Sequence, residues 1–184
     1  MTFVVKTSKG FMLTIDLKQM IRSVPDFPKP GINFFDITTL LKEPEGLKAT
    51  IDSLATPYAG AGIDLVIGIE SRGFILGSAV AERIGAGFIP VRKPGKLPAK
   101  AIKEIYELEY GKDALEIHAD AIDKGQRVLI VDDVLATGGT AAAATQLVKK
   151  LGGDLQGLAF LIELTFLNGK SKLIGESVFS VLQY

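Results

Sequence analysis

Two adjacent carboxylates, Asp132 and Asp133, follow the apolar run Val128-Leu129-Ile130-Val131, and Thr137-Gly138-Gly139-Thr140 comes soon after. Acids placed this way can hold hydroxyl groups or offset a developing positive charge. A Gly pair before an Ala-rich helix lets backbone N–H groups close on an anion, and the helix start favours negative charge. Taken singly, the acids fit a turn or helix cap and the Gly pair a tight connection. The stretch lacks the Lys of a Walker A loop and the spacing of a dinucleotide fingerprint. A second cluster, Glu70-Ser71-Arg72-Gly73, follows Leu65-Val66-Ile67-Gly68-Ile69. There the Arg72 fork can grip phosphate while its small neighbours expose amides, although a helix start with an exposed Arg is the plainer alternative. Between Val91 and Ala114, the cations Arg92, Lys93, Lys96, Lys100 and Lys103 share a segment with Pro94, Gly95 and Pro98. A basic segment this long is either a solvated loop or a lid.

These residues need elements to hold them. Four apolar residues in a row at Val128–Val131 predict a strand buried on both faces, with the acids just beyond its end. Further strands are expected at Leu65–Ile69, Phe88–Val91 and Leu158–Leu164, with helices through Ile75, Ala79 and Ile84 and from Ala141 to Leu151. Such alternation predicts an α/β fold: one domain over 1–184, with a largely parallel twisted sheet and helices on both faces. Ligands then sit at the carboxyl ends of the strands. Upstream, Leu17, Met20, Ile21 and Val24 have helical spacing over Asp16–Ser23. Pro25-Asp26-Phe27-Pro28-Lys29-Pro30-Gly31 breaks that helix into a rigid connector. Ile32–Leu41 reads as extended and Pro44–Tyr58 as helix. Tyr106–Tyr110 alternates like an exposed strand or hairpin arm. Residues 1–11 are either an extension ahead of a second start at Met12 or a short first strand.

Composition bounds the function. The 184 residues carry 21 basic and 21 acidic side chains, and this balance disfavours nucleic acid or a membrane surface as main partner. With no cysteine, disulfides, thiolate metal sites and cysteine nucleophiles are excluded, which fits a reducing cytoplasm. No apolar run approaches the ~20 residues that span a bilayer, and Met1–Phe11 does not look like a signal peptide. His118 is the only histidine, so a helix-surface or packing role is expected for it.

The Asp132 segment resembles the phosphoribosyl-pyrophosphate (PRPP) loop of type I phosphoribosyltransferases. Pro25–Ile32, Glu70–Phe74, Arg92–Pro98, Leu108–Lys112, the Asp132 segment and Phe179–Tyr184 follow the order found in adenine phosphoribosyltransferases. The resemblance runs from about Asp16 to the end. It implies a small N-terminal hood within 12–41, a flexible lid loop over 92–112, and the reaction adenine + PRPP → AMP + pyrophosphate with Mg²⁺. On this resemblance Asp132 and Asp133 position the ribose near the developing cation. Ala136, Thr137, Gly138, Gly139 and Thr140 hold the 5′-phosphate. Glu70, Ser71, Arg72 and Gly73, with Arg92, Lys93 and Lys96, serve pyrophosphate, and the Glu70–Ser71 peptide is cis. Glu109 is matched to proton transfer at the adenine ring and Tyr110 to lid closure. Ile32, Asn33, Phe34, Phe35 and Val134 form the adenine pocket, with Phe34 stacking on the base. Phe35 stands where the family often has Arg, and Asn33 where it often has an apolar residue. Mg²⁺ is expected through PRPP, pyrophosphate and water rather than direct protein ligands. A homodimer is also implied. Three alternatives remain beside this reading: an enzyme for another purine, a non-catalytic PRPP-sensing regulator, and a general nucleotide-binding module.

Overall fold

The computed structural model describes residues 2–6, 12–107 and 111–184. The chain divides into two compact units, Met1–Ser53 and Leu54–Tyr184.

In the N-terminal unit, β1 (Thr2–Lys6) and β2 (Met12–Asp16) form an antiparallel pair. The helix expected over Asp16–Ser23 is a single turn, α1 (Leu17–Met20), capped by Asp16, which accepts a hydrogen bond from the Lys18 N–H at 3.1 Å. The chain then leaves helical geometry because β3 (Arg22–Val24) pairs antiparallel with β4 (Phe34–Asp36). The Arg22 guanidinium reaches Asp36 at 2.5 Å, a cross-strand interaction that local periodicity does not reveal. Ile32–Leu41 is likewise extended only over β4. Asp36 accepts from the Thr38 N–H at 2.9 Å and starts α2 (Thr38–Leu41). Pro44–Ala55 forms α3, and Leu17, Ile21, Ile37 and Leu40 are buried. The proline-rich connector is ordered, as expected. Its Phe27–Pro28 peptide is cis, the Asp26 carboxylate accepts from the Gly31 N–H at 2.7 Å, and the Phe27 N–H donates to the Ile32 carbonyl at 3.1 Å.

The larger unit opens with a 3-10 turn at Thr56–Tyr58. It continues through β5 (Leu65–Ile69), α4 (Arg72–Ile84), β6 (Gly87–Val91), β7 (Ala101–Glu107), β8 (Lys112–His118), β9 (Arg127–Leu135), α5 (Gly139–Leu151), β10 (Asp154–Glu163) and β11 (Val178–Gln183). A parallel five-stranded sheet runs β11-β10-β9-β5-β6. Side chains alternate across it. Ile67, Ile69, Val128 and Ile130 join Ala144, Leu147 and Val148 of α5 in one core. On the opposite face Gly68 meets Gly77 of α4, where a Cβ on Gly77 would lie 3.1 Å from the Gly68 Cα. Helices therefore cover both faces of a parallel sheet, as the alternation predicts.

Several boundaries differ from expectation, among them the helix expected over Pro44–Tyr58, which ends at Ala55 and passes into the 3-10 turn. β9 continues to Leu135, so Asp132 and Asp133 lie within the strand rather than beyond it. The α5 helix begins at Gly139 and β10 at Asp154. The hairpin arm expected over Tyr106–Tyr110 is found, but earlier in the chain: β7 (Ala101–Glu107), within 92–112, pairs antiparallel with β8. His118 ends β8 instead of lying on a helix, and its Nε2 is buried without a hydrogen-bond partner. Among the described residues no helix is long and apolar enough to cross a membrane.

Candidate active site

The site is built at the carboxyl ends of β5 and β9, which are hydrogen-bonded neighbours. Because both acids sit in a strand, their side chains point to opposite sides of the sheet. Asp132 faces the first turn of α4, where its Oδ1 would stand 2.7 Å from a Cβ at Gly73. Gly73 is thus required by the close approach of helix and carboxylate. That oxygen also accepts from the Asp133 N–H at 2.9 Å. Burial, reinforced by the neighbouring Asp133, raises the Asp132 pKa well above the usual carboxylate value. Asp133 is 9% exposed and forms an ion pair with the Arg72 guanidinium, which is half-exposed. One contact therefore joins the turn after β5 to the end of β9.

Beyond β9, residues Ala136–Gly138 turn into α5. Gly138 has φ +80°, a left-handed conformation natural to glycine. The first-turn amides of α5 have no intrahelical partners, and they border a cavity of about 60 Å³ lined by Asp132, Val134, Ala136, Thr137, Gly138 and Thr140. The Glu70–Ser71 peptide is cis, as the resemblance implies.

Glu70 organises the start of the basic segment. Its carboxylate accepts from the Lys93 N–H at 3.0 Å and from two Arg92 nitrogens at 3.3 Å each. The Lys93 N–H first, and Arg92 with it, hold Glu70 below its ordinary pKa against the opposing effect of burial. Arg92 also donates to the Lys96 carbonyl at 3.2 Å. Lys93 pairs with Asp113 and donates to the Tyr106 hydroxyl at 3.1 Å. Burial opposes its charge, but these two partners outweigh that and raise its pKa. The Tyr106 hydroxyl donates to Asp113 at 3.1 Å and accepts from Thr140 at 3.4 Å, linking the hairpin to the Gly-Gly turn. The Lys96 side chain is exposed.

Glu70–Gly73, Arg92, Lys93, Asp132–Val134 and Ala136–Thr140 thus fall in one unit around two adjoining strand ends. Ile32–Phe35 belong to the N-terminal unit, where the Asn33 side chain accepts from the Ser23 hydroxyl at 2.7 Å. Phe34 there meets Phe27 edge-to-face at 5.3 Å. Asn33 therefore ties the end of the connector back to β3, a contact that its residue type alone did not suggest. Glu109 and Tyr110 lie outside the described residues. Sequence reasoning missed Tyr106 and Asp113. The one signal for Tyr106 was the Tyr106–Tyr110 alternation, which marks an arm but not its contacts, and Asp113 lies beyond it.

A parallel sheet carrying an Arg-bearing turn and a Gly-Gly turn at adjacent strand ends, bridged by an Arg–Asp pair, fits the phosphoribosyltransferase class. The family model for the phosphoribosyl transferase domain matches residues 36–172. The adenine phosphoribosyltransferase of Koribacter versatilis is 61% identical over 168 residues, covering 91% of this chain and 92% of that protein. The crystal structure of adenine phosphoribosyltransferase from Thermoanaerobacter pseudethanolicus superposes with a TM-score of 0.89 at 52% identity, covering 91% of this chain and 98% of that one. The Saccharomyces cerevisiae enzyme, solved with an imino-altritol bisphosphate and adenine, gives a TM-score of 0.86 at 44% identity, covering 90% and 96%. The chain belongs to the adenine phosphoribosyltransferase family.

Proposed function

We infer that this protein is a purine-salvage enzyme that transfers the phosphoribosyl group of PRPP to adenine, giving AMP and pyrophosphate. The observation that carries the chemistry is the Arg72–Asp133 pair, which brings a phosphate-gripping turn and a carboxylate pair to adjacent strand ends. Adenine as the base is supported by the names of the relatives and by the yeast structure holding adenine.

The residues divide the work as follows. The amides and hydroxyls of Ala136–Thr140 hold the 5′-phosphate at the start of α5. Arg72, with the Ser71 and Gly73 amides, holds pyrophosphate, and Arg92, Lys93 and Lys96 add positive charge. Cleavage at the ribose C1 leaves oxocarbenium-like charge, and Asp132 and Asp133 position the ribose beside it. Glu109 takes the proton that adenine N9 loses as it attacks. Lid closure, with Tyr110, keeps water from the cationic centre. Phe34 stacks on the base and the Ile32–Phe35 backbone reads its amino edge. The Asp132–Asp133 carboxylates are hard oxygen donors of the kind Mg²⁺ accepts, but the Asp133 amide and Arg72 already occupy them. The ion would therefore be held mainly by pyrophosphate, ribose and water. When bound it supplies charge neutralisation for the leaving pyrophosphate. A homodimer in the cytoplasm completes the reading.

The test is to incubate the protein with adenine, PRPP and Mg²⁺ and follow AMP by chromatography, with hypoxanthine as competing base. AMP formation that stops on chelation is expected. PRPP binding without AMP would instead identify a PRPP-sensing regulator, and equal turnover of hypoxanthine would overturn the base assignment.

A further inference from the structure

The segment after β10 carries none of the residues assigned above, yet it packs directly behind the Ala136–Thr140 turn. Gly169 is buried in a 3-10 turn over Gly169–Lys172. A Cβ on Gly169 would lie 2.2 Å from the Ala136 carbonyl oxygen and 3.0 Å from the Gly138 nitrogen. Conversely, a Cβ on Gly138 would lie 2.2 Å from the Gly169 carbonyl oxygen. Two backbones thus face each other glycine to glycine, with no room for a methyl group on either side.

The turn behind Gly169 is itself fixed. The Lys170 ammonium pairs with Glu163 at 2.8 Å, and the Glu163 side chain is only 8% exposed. Glu163 also accepts from the Ser180 hydroxyl at 2.8 Å and the Gln183 amide at 3.3 Å, anchoring the pair to β10 and β11. Asn168 precedes Gly169 with φ +50°, and its carbonyl accepts from the Ser171 hydroxyl at 2.7 Å. The Leu164 N–H donates to the Leu135 carbonyl at 2.9 Å, joining the segment to β9 just before the phosphate turn.

We propose that Gly169, held in place by the Lys170–Glu163 pair, is a positioning residue that braces the Ala136–Gly138 backbone so that its amides converge on the 5′-phosphate of PRPP. The proposal rests on the assignment of Ala136–Thr140 to that phosphate. A glycine-containing turn with positive φ has many alternative conformations, and a donor cradle works only when held close to its productive geometry. Gly169 supplies that restraint from behind, through backbone packing rather than ligand contact. Its effect should therefore fall on the phosphate monoester and spare pyrophosphate, whose assigned residues lie on other elements.

The experiment measures ribose 5-phosphate and pyrophosphate binding by calorimetry, and KM for PRPP and for adenine, in the full chain. Gly169→Ala is expected to weaken ribose 5-phosphate and raise KM for PRPP roughly tenfold or more, with pyrophosphate affinity and KM for adenine little changed. Lys170→Met should move the same two quantities in the same direction, and Lys170→Arg should restore them. This pair carries the test if Gly169→Ala does not fold. Thr137→Ala and Thr140→Ala separate the two layers of the argument. If they weaken ribose 5-phosphate while Gly169→Ala and Lys170→Met do not, the brace is refuted and the phosphate assignment stands. If none of the four has an effect, both fall. Equal weakening of ribose 5-phosphate and pyrophosphate by Gly169→Ala would reduce it to a general structural role and overturn the proposal.

Discussion

Gly73→Ala tests whether the helix start after β5 and the carboxylate of β9 form one rigid unit. The added methyl would stand 2.7 Å from Asp132 Oδ1 and 3.1 Å from the Val131 carbonyl oxygen, against ordinary contact from about 3.4 Å. Two relaxations are open. The first turn of α4 can lift from the sheet, an overpacking response that costs about 1–3 kcal/mol. Alternatively Asp132 can swing aside, and the Asp133 N–H that donates to it at 2.9 Å loses its acceptor. Leaving such a group unsatisfied in the interior costs about 1–3 kcal/mol. Either route predicts a loss near ~2 kcal/mol, read as a lower urea midpoint with unchanged slope. The first route displaces the Ser71–Gly73 turn and the second displaces Asp132, so in either case AMP formation should fall on the order of a hundredfold, the scale of a 1 Å misplacement. Ile75→Ala is the control. Ile75 lies on the same helix but is 49% exposed, and its truncation should stay within about 0.5 kcal/mol. A Gly73→Ala protein with wild-type stability and rate would refute the rigid contact. Lost stability with an intact rate would refute the placement of this contact, the α4 start and Asp132 together, at the reacting centre.

Three more outcomes follow from the geometry. Asp36 is brought down to about 2 by hydrogen bonds from Thr38 and Arg22, with the Arg22 charge assisting. Its folded carboxyl holds a proton less tightly than the unfolded one, so its stabilisation is complete above the unfolded value near 3.8 and is lost as pH falls towards 2. The melting-temperature gap between wild type and Asp36→Asn should therefore close over that window; a gap constant with pH would contradict it. Tyr106→Phe removes a hydroxyl shared by Lys93, Asp113 and Thr140 and should cost about 1 kcal/mol in denaturant unfolding while raising KM for PRPP. Glu109→Gln should lower kcat by roughly 10²–10⁴ with PRPP affinity kept; a collapse of affinity in calorimetry would assign Glu109 to binding or folding instead.

Elements whose signal is local were legible in the chain. Leu65–Ile69 forms as expected because consecutive apolar residues suit a strand covered on both faces. The Pro25–Gly31 connector could be nothing regular, since prolines deny it both helix and central strand. The single turn of α1 was not legible, because Leu17, Met20, Ile21 and Val24 satisfy a helical period while β4 offers Arg22–Val24 a better set of partners. The same holds for β9. Local reading ended the strand at Val131, yet parallel pairing with β10 carries it to Leu135.

For the site, the sequence by itself determined its chemical parts. Acids, a Gly-Gly turn and an Arg-bearing turn each follow an apolar run, and their order along the chain gave the family resemblance. Only the tertiary structure decided their partners. Asp132 and Asp133 look equivalent as neighbours in sequence, but within a strand they point apart. One becomes buried against Gly73, and the other pairs with Arg72. Gly169 is the extreme case. Its role lies in what its missing side chain leaves room for, and that space is defined by Ala136 and Gly138, far away along the chain and adjacent only after β9 and β10 pair.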